Sequence, residues 1–109
     1  MIAVVVLLLA AASRTHTVEI RGMEFHPAEL TVAVGDTIVW INRDIVPHTA
    51  TAGGGGGGQG GQGGHTKWDT GALTQDKTGR YVAQRAGVVR YSCTFHPTMH
   101  GKLIVREAH

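Results

Sequence analysis

The hydrophobic and polar residues of this chain alternate in short runs, a pattern that is typical of half-buried β-strands. Val18 and Ile20, for example, alternate with Glu19 and Arg21, so one face of that strand is apolar and the other is charged. No window of the sequence has a sustained helical period. The alternation predicts strands over residues 17–23, 29–34, 37–42, 48–51, 79–84, 88–93 and 101–107.

Three of these segments predict more about the fold. Residues 37–42 are apolar on both faces, which predicts a central strand packed between two layers. We expect the strands over residues 79–84 and 88–93 to form a hairpin that turns at residues 85–87. Many short strands separated by turn residues favour an all-β fold, an antiparallel Greek-key β-sandwich of about seven or eight strands.

Composition limits the classes of function. The 109 residues suffice for one domain with a modest core. Only 17% of the residues are charged and the net charge is +2, which gives no case for a nucleic-acid partner. The single cysteine, Cys93, excludes an internal disulfide, a C-x-x-C-H haem attachment and a two-cysteine dinuclear copper centre.

The N-terminal segment departs from the strand pattern. Residues 2–12 form an apolar run of 11 residues, which is shorter than the roughly 20 residues that span a bilayer. Its length and the small residues at its end predict a signal peptide over residues 1–13, although no Lys or Arg precedes the run. We therefore expect a periplasmic or other extracytoplasmic domain over residues 14–109, with membrane attachment only if the segment stays uncleaved.

A glycine run interrupts the middle of the chain. Residues 53–64 contain ten glycines and two glutamines, so they offer no side chain for a core and lose much entropy on ordering. The run ends without the GKS/T residues of a phosphate-binding loop. We interpret it as a flexible loop, and we expect Trp68 to anchor the chain where it returns to the domain.

The candidate chemistry lies in one short loop near the C-terminus. Cys93, His96 and Met99 have C-x-x-H-x-x-M spacing, and Pro97 stiffens the segment that carries the last two. The best candidate for a fourth donor upstream is His48, which follows a proline. Two imidazoles, a thiolate and a weak axial thioether form the trigonal site that holds copper for electron transfer. The separation of His48 from Cys93 in sequence implies that metal binding and folding are coupled.

These segments resemble the cupredoxins, the type I blue copper proteins. Residues 91–105 resemble the ligand loop and last strand of that family, and residues 34–43 and 46–49 resemble its strand, turn and first-histidine region. The short ligand spacing is most similar to the amicyanin- and plastocyanin-like small copper proteins. The resemblance implies a cupredoxin β-sandwich with one copper ion that cycles between Cu(I) and Cu(II). Its implied ligands are His48, Cys93, His96 and Met99.

Two residues depart from the family pattern. Thr49 stands where related proteins commonly have an asparagine that braces the ligand loop, and a hydroxyl has fewer donors and a shorter reach. His100 follows Met99 where relatives more often have Arg or Lys, which makes it an alternative axial ligand. Because adjacent residues of an extended backbone point apart, we favour Met99 over His100.

The resemblance implies a monomeric electron carrier rather than an enzyme. Its partners would be other redox proteins, namely a c-type cytochrome, a dehydrogenase or a membrane redox complex. One alternative is a copper-binding or copper-delivery protein on the same fold. A second alternative is a cysteine enzyme that uses Cys93 with His96, but the sequence offers no third group to orient such a pair.

Overall fold

The structure is a computed structural model, and it describes residues 2–4, 12–53 and 67–108. The signal peptide predicted over residues 1–13 and the loop predicted over residues 53–64 lie largely outside this described part. Within the described residues, no helix has the length and apolar character needed to cross a membrane. The described strands are β1 (Thr15–Arg21), β2 (Glu24–His26), β3 (Glu29–Ala33), β4 (Thr37–Asn42), β5 (Thr51–Ala52), β6 (Trp68–Asp69), β7 (Thr78–Val82), β8 (Gly87–Ser92) and β9 (His100–Arg106).

The strands form two sheets, which confirms the predicted β-sandwich. One sheet has the strand order β2-β1-β4-β7 and the other has the order β3-β9-β8-β5-β6. Both sheets are mixed, because β1 pairs with β4 in parallel and β3 pairs with β9 in parallel. Each parallel pair joins strands that are distant in sequence, and the alternation of side chains carries no information about strand direction.

The core lies between the two sheets and is filled by alternate residues of each strand, as the sequence pattern predicts. Each fully buried aliphatic or aromatic side chain contributes about 1.5–3 kcal/mol relative to an exposed one. Strand β4 is central in its sheet, between β1 and β7, as expected. Buried apolar residues of the strands include Val18, Ile20, Ile38 and Trp40 in the first sheet and Tyr91, Leu103 and Val105 in the second.

Trp68 anchors the chain to the core directly after the glycine run, which confirms its expected role. Its ring lies 4.9 Å from Trp40 and 5.4 Å from Tyr91, measured between centroids. It also stacks on Tyr81 at 4.7 Å. Aromatic pairs in this range add stabilisation beyond the area that they bury. Trp68 thereby ties β6 to the aromatic cluster between the sheets.

The hairpin predicted for residues 79–93 is wrong, because β7 and β8 belong to different sheets. After β7 the chain continues beside the turn that joins β3 to β4. There the Ala83 N–H donates to the Asp36 carbonyl at 2.8 Å, and the Gly35 N–H donates to the Ala83 carbonyl at 2.8 Å. Ala83 is buried, so residues 83–86 form a crossing between sheets rather than a tight turn.

The neighbouring residue on β8 leaves no space for a side chain at position 101, which is a glycine. Gly101 on β9 pairs with Tyr91 on β8, and the Tyr91 ring lies over the glycine. A Cβ atom at position 101 would overlap this ring at distances that real contacts do not reach. The absence of a side chain at position 101 therefore lets the Tyr91 ring pack directly against the β9 backbone.

Candidate metal centre

The loop from Cys93 to Met99 joins β8 to β9 and is closed by its own backbone. The Cys93 N–H donates to the Met99 carbonyl at 3.2 Å, and the Met99 N–H donates to the His96 carbonyl at 2.9 Å. A third bond runs from the His96 N–H to the Cys93 carbonyl at 3.2 Å. These bonds fix the spacing of the three candidate donors, and the Cys93 and Met99 side chains are both buried.

His48 reaches the same place from the segment between β4 and β5. Its backbone forms an isolated bridge with Leu73, in which each N–H donates to the other's carbonyl at 3.1 and 2.8 Å. The strand predicted over residues 48–51 is thus reduced to this bridge and the two residues of β5. The His48 side chain is fully buried, so the bridge holds a polar ring inside the domain.

The structure brings three of the four predicted donors together. The Cys93 sulfur lies 3.7 Å from Nδ1 of His48 and 3.7 Å from Nδ1 of His96. All three donor atoms lie within 4.8 Å of one another. The two imidazole rings meet edge to face, with centroids 5.0 Å apart. Both histidines therefore present the same ring nitrogen to the thiol.

A single metal ion fits between these atoms. Metal bonds of about 2.0–2.1 Å to nitrogen and about 2.3 Å to a thiolate, at angles between tetrahedral and trigonal, separate the ligands by roughly 3.6–3.8 Å. The observed 3.7 Å between the sulfur and each nitrogen falls in this interval. Imidazole, thiolate and thioether donors favour copper over magnesium or calcium, which take oxygen ligands.

The buried sulfur also receives a hydrogen bond from the backbone. The Thr49 N–H points at the Cys93 sulfur from 3.3 Å. This bond gives the buried sulfur a polar partner from the main chain. The residue after His48 thus contacts the cysteine through its main chain, whatever side chain it carries.

The Thr49 side chain braces the ligand loop. Its hydroxyl accepts the Thr94 N–H at 2.9 Å, directly after Cys93. Further hydroxyl contacts join Thr49 to Thr51 at 2.9 Å and Thr51 to Thr94 at 3.1 Å. The expected weakness of a threonine at this position is thereby offset by neighbouring hydroxyl groups.

Sequence reasoning missed Asp44, which holds the second nitrogen of His48. The Asp44 carboxylate lies 2.8 Å from Nε2 of His48. Because a carboxylate accepts, Nε2 carries the proton, and in the neutral imidazole the lone pair is then on Nδ1, the nitrogen nearest the sulfur. A carboxylate four residues before a candidate ligand histidine was the available signal, since such pairs commonly orient metal-binding imidazoles.

Asp44 is itself held by the turn between β1 and β2. Its two oxygens accept the Gly22 N–H at 2.8 Å and the Met23 N–H at 2.9 Å. Burial alone would raise the pKa of Asp44, but the hydrogen bonds from Met23, His48 and Gly22 outweigh it and lower that pKa. The carboxylate therefore stays ionised and remains an acceptor at neutral pH.

Asn42 organises the loop that carries both Asp44 and His48, and the sequence indicated it only as the end of a strand. Its buried amide donates to the carbonyls of Val46 at 2.9 Å and Leu73 at 2.8 Å. Its side-chain oxygen accepts the Asp44 N–H at 2.9 Å. One buried side chain thus connects the carboxylate, the loop and the bridge partner of His48.

Met99 and His100 point to opposite sides, as the alternation of an extended backbone requires. Met99 is 4% exposed and belongs to the core cluster, whereas His100 is exposed at the start of β9. Among the described His, Cys, Asp and Glu residues, His100 does not join the three clustered donors. This arrangement favours Met99 as the axial candidate.

The two histidines differ in their access to solvent. His48 is fully buried, but His96 is half-buried beside exposed Phe95 and Pro97. Phe95 is 52% exposed, and Val46 on the neighbouring loop is 42% exposed. The metal centre therefore meets the surface through one imidazole in an apolar setting.

Comparison with known proteins agrees with this geometry. Residues 12–106 match the model of copper binding proteins of the plastocyanin/azurin family. Amicyanin from Paracoccus denitrificans is 34% identical over 88 residues, and amicyanin from Paracoccus versutus is 32% identical over 88 residues. Each match covers 81% of this chain, which spans 63% and 62% of the two relatives' lengths.

A solved structure supports the same relation. The Cu(I) form of a methionine-to-alanine variant of amicyanin matches with a TM-score of 0.73 and 31% identity, over 88% of this chain and 86% of the other. Fold and site together define a cupredoxin with one copper ion as its cofactor. The chain belongs to the plastocyanin/azurin family of copper-binding proteins.

Proposed function

We propose that this protein is a small blue-copper electron carrier, with His48, Cys93, His96 and Met99 as the ligands of a mononuclear type I site. The observation that carries the proposal is the equal 3.7 Å separation of the Cys93 sulfur from Nδ1 of both histidines. A bound copper ion would supply one-electron chemistry by alternating between Cu(I) and Cu(II).

The role of the chain is to keep the donors nearly fixed while the charge of the site changes. Asp44 fixes the proton of His48 on Nε2, and the Leu73 bridge fixes its backbone. The Thr49 N–H contacts the Cys93 sulfur, and the Thr49 hydroxyl accepts the N–H of Thr94, the residue after Cys93. Ligands that move little on electron transfer require little reorganisation, which makes the transfer fast.

Electrons would enter and leave through His96. This is the candidate ligand that reaches the surface, beside the exposed Phe95 and Pro97. An uncharged apolar contact of modest area suits a transient encounter, because the complex must form and separate quickly. We infer that the partners are redox proteins, namely a c-type cytochrome, a dehydrogenase or a membrane redox complex.

The remaining assignments follow from the same proposal. We infer a monomer that works in the periplasm or another extracytoplasmic compartment and performs no enzymatic reaction of its own. The relationship to amicyanins and the predicted signal peptide over residues 1–13 support this placement. Burial argues against copper delivery as the main role, since Cys93, His48 and Met99 are all less than 5% exposed.

The test is a titration of the full chain with Cu(II), followed by visible absorption. We expect an intense thiolate-to-copper band in the wild type and in a His26→Ala control, which removes a histidine outside the cluster. Cys93→Ser should lose the band, because Cys93 is the only thiol of the chain. A band that persists in Cys93→Ser would overturn the site, and copper loss on each reduction cycle would favour delivery over electron transfer.

A further inference from the structure

A network of hydroxyl groups extends outward from the metal centre. We call it the threonine network, and it consists of the hydroxyls of Thr49, Thr51 and Thr94 with the carboxylate of Asp69. Thr49 lies 2.9 Å from Thr51 and 3.2 Å from Thr94, and Thr51 lies 3.1 Å from Thr94. Thr51 also donates to Oδ1 of Asp69 at 3.1 Å.

The carboxylate sets the direction of the hydrogen bonds in this network. Asp69 can only accept, so the single hydroxyl proton of Thr51 points to it. The Thr51 oxygen is then left as an acceptor, and it faces the hydroxyls of Thr49 and Thr94. The Thr49 hydroxyl therefore donates its proton to a neighbouring hydroxyl of the network. Its oxygen keeps a lone pair that accepts the Thr94 N–H at 2.9 Å.

Asp69 is held in place at the outer end of the threonine network, where it serves as a fixed acceptor. Its Oδ1 also accepts the Gly71 N–H at 2.7 Å, which holds the carboxylate against its own backbone. Asp69 lies on β6 directly opposite Thr51 on β5. The next pair of hydrogen bonds, from Thr70 to the Ala50 carbonyl and from Ala50 to the Thr70 hydroxyl, continues this attachment.

We propose that Thr51 and Asp69 are positioning residues for the metal centre. They act through Thr49 on the Thr94 N–H, and so they fix the backbone directly after Cys93. The effect on the metal centre rests on the proposed copper site. The direction of the hydrogen bonds in the threonine network does not depend on a bound metal. Strand β6, the segment that follows the glycine run, thus takes part in holding the ligand loop.

Conservative and disruptive variants of Thr51 and Asp69 distinguish an effect on the position of the ligand loop from a general loss of stability. Thr51→Val and Asp69→Ala remove a donor or the fixed acceptor, whereas Thr51→Ser and Asp69→Asn keep a group of the same hydrogen-bonding role. Thr31→Val is the matched control, because it removes an exposed hydroxyl on β3, in a part of the second sheet distant from the network.

The experiment measures hydrogen exchange at the Thr94 N–H by NMR, in the full chain with Cu(I) and again without metal. We expect exchange about five- to tenfold faster in Thr51→Val and Asp69→Ala, as the loss of one net hydrogen bond implies. In the copper-loaded protein both variants should shift the reduction potential in the same direction. Thr51→Ser, Asp69→Asn and the Thr31→Val control should behave as wild type.

Unchanged exchange at Thr94 in both disruptive variants would overturn the proposal. If Thr51→Val does not fold, Asp69→Ala decides alone, because the Asp69 side chain is at the surface and its loss leaves no buried gap. A wild type without a blue band would refute the copper site instead, and the metal-free arm would still test the network.

Discussion

The carboxylate of Asp36 should make the stability of this domain depend on pH in a defined interval. Asp36 lies in the turn between β3 and β4, and its side chain is only 7% exposed. It accepts the Ala33 N–H at 3.0 Å and the Arg14 N–H at 2.9 Å, and it pairs with Nε2 of His16 at 2.9 Å. The Ala33 bond is the largest influence; with those of Arg14 and His16 it outweighs burial and lowers the pKa from 3.8 to about 2.

The magnitude follows from that difference. Each pKa unit corresponds to about 1.4 kcal/mol, so the ionised Asp36 stabilises the folded state by about 2–3 kcal/mol. Because the pKa is lower in the folded chain than in the unfolded chain, this stabilisation is fully present above the unfolded value of 3.8. It is lost as the pH falls from 3.8 through about 2, below which both states bind the proton.

Urea unfolding of the metal-free chain from neutral pH down to about pH 2 measures this effect. The free energy of unfolding of the wild type should exceed that of Asp36→Asn at neutral pH, and the difference should shrink by about 2 kcal/mol on acidification. Asp76→Asn, at an exposed carboxylate, is the control. If wild type and Asp36→Asn lose stability in parallel, the hydrogen bonds to the ionised Asp36 do not stabilise the fold.

Three further changes test the site and its surroundings. Met99→Leu should keep the blue band and raise the reduction potential, because a weak donor to Cu(II) is removed; a shift in His100→Ala but not in Met99→Leu would contradict the axial assignment. Gly101→Ala should lower the free energy of unfolding by about 1–3 kcal/mol in urea titrations, because the new Cβ displaces the Tyr91 ring, and an unchanged midpoint would show that the ring moves freely. Phe95→Glu should slow electron exchange with a c-type cytochrome in stopped-flow measurements while barely moving the potential, and an unchanged second-order rate would mean that electrons pass through another face.

The candidate donors that lie close in sequence could be proposed from the sequence, because their chemistry is local. Cys93, His96 and Met99 share one loop, so their spacing alone indicates convergence on a metal. His48 was found by its residue type and the preceding proline, and the structure places its ring 3.7 Å from the sulfur. The inward faces of the strands were equally local, since alternate residues must share a side.

Contacts between distant segments could not be predicted in the same way. Asp69 meets Thr51 at a sequence separation of 18, with the glycine run between them, and no periodicity marks such a pair. The crossing between the sheets after β7 was missed for the same reason, because it depends on contacts with a distant segment. Two alternating strands with a short connection favour a hairpin locally, but the buried Ala83 and its bonds beside the β3–β4 turn direct the chain to the opposite sheet.

The pairing of β5 with β6 has a consequence for what this domain can accommodate. Ala52 lies opposite Trp68 in an antiparallel ladder, so the chain leaves and returns at neighbouring points of one sheet. The separation of the two ends is then set by the ladder and not by the number of residues between them. Doubling the length of an unstructured insertion costs only about 0.6 kcal/mol in closure entropy. The connection between β5 and β6 is therefore a suitable insertion site for a peptide tag, a protease site or a second folded domain. We expect such insertions to leave the fold of the copper domain unchanged.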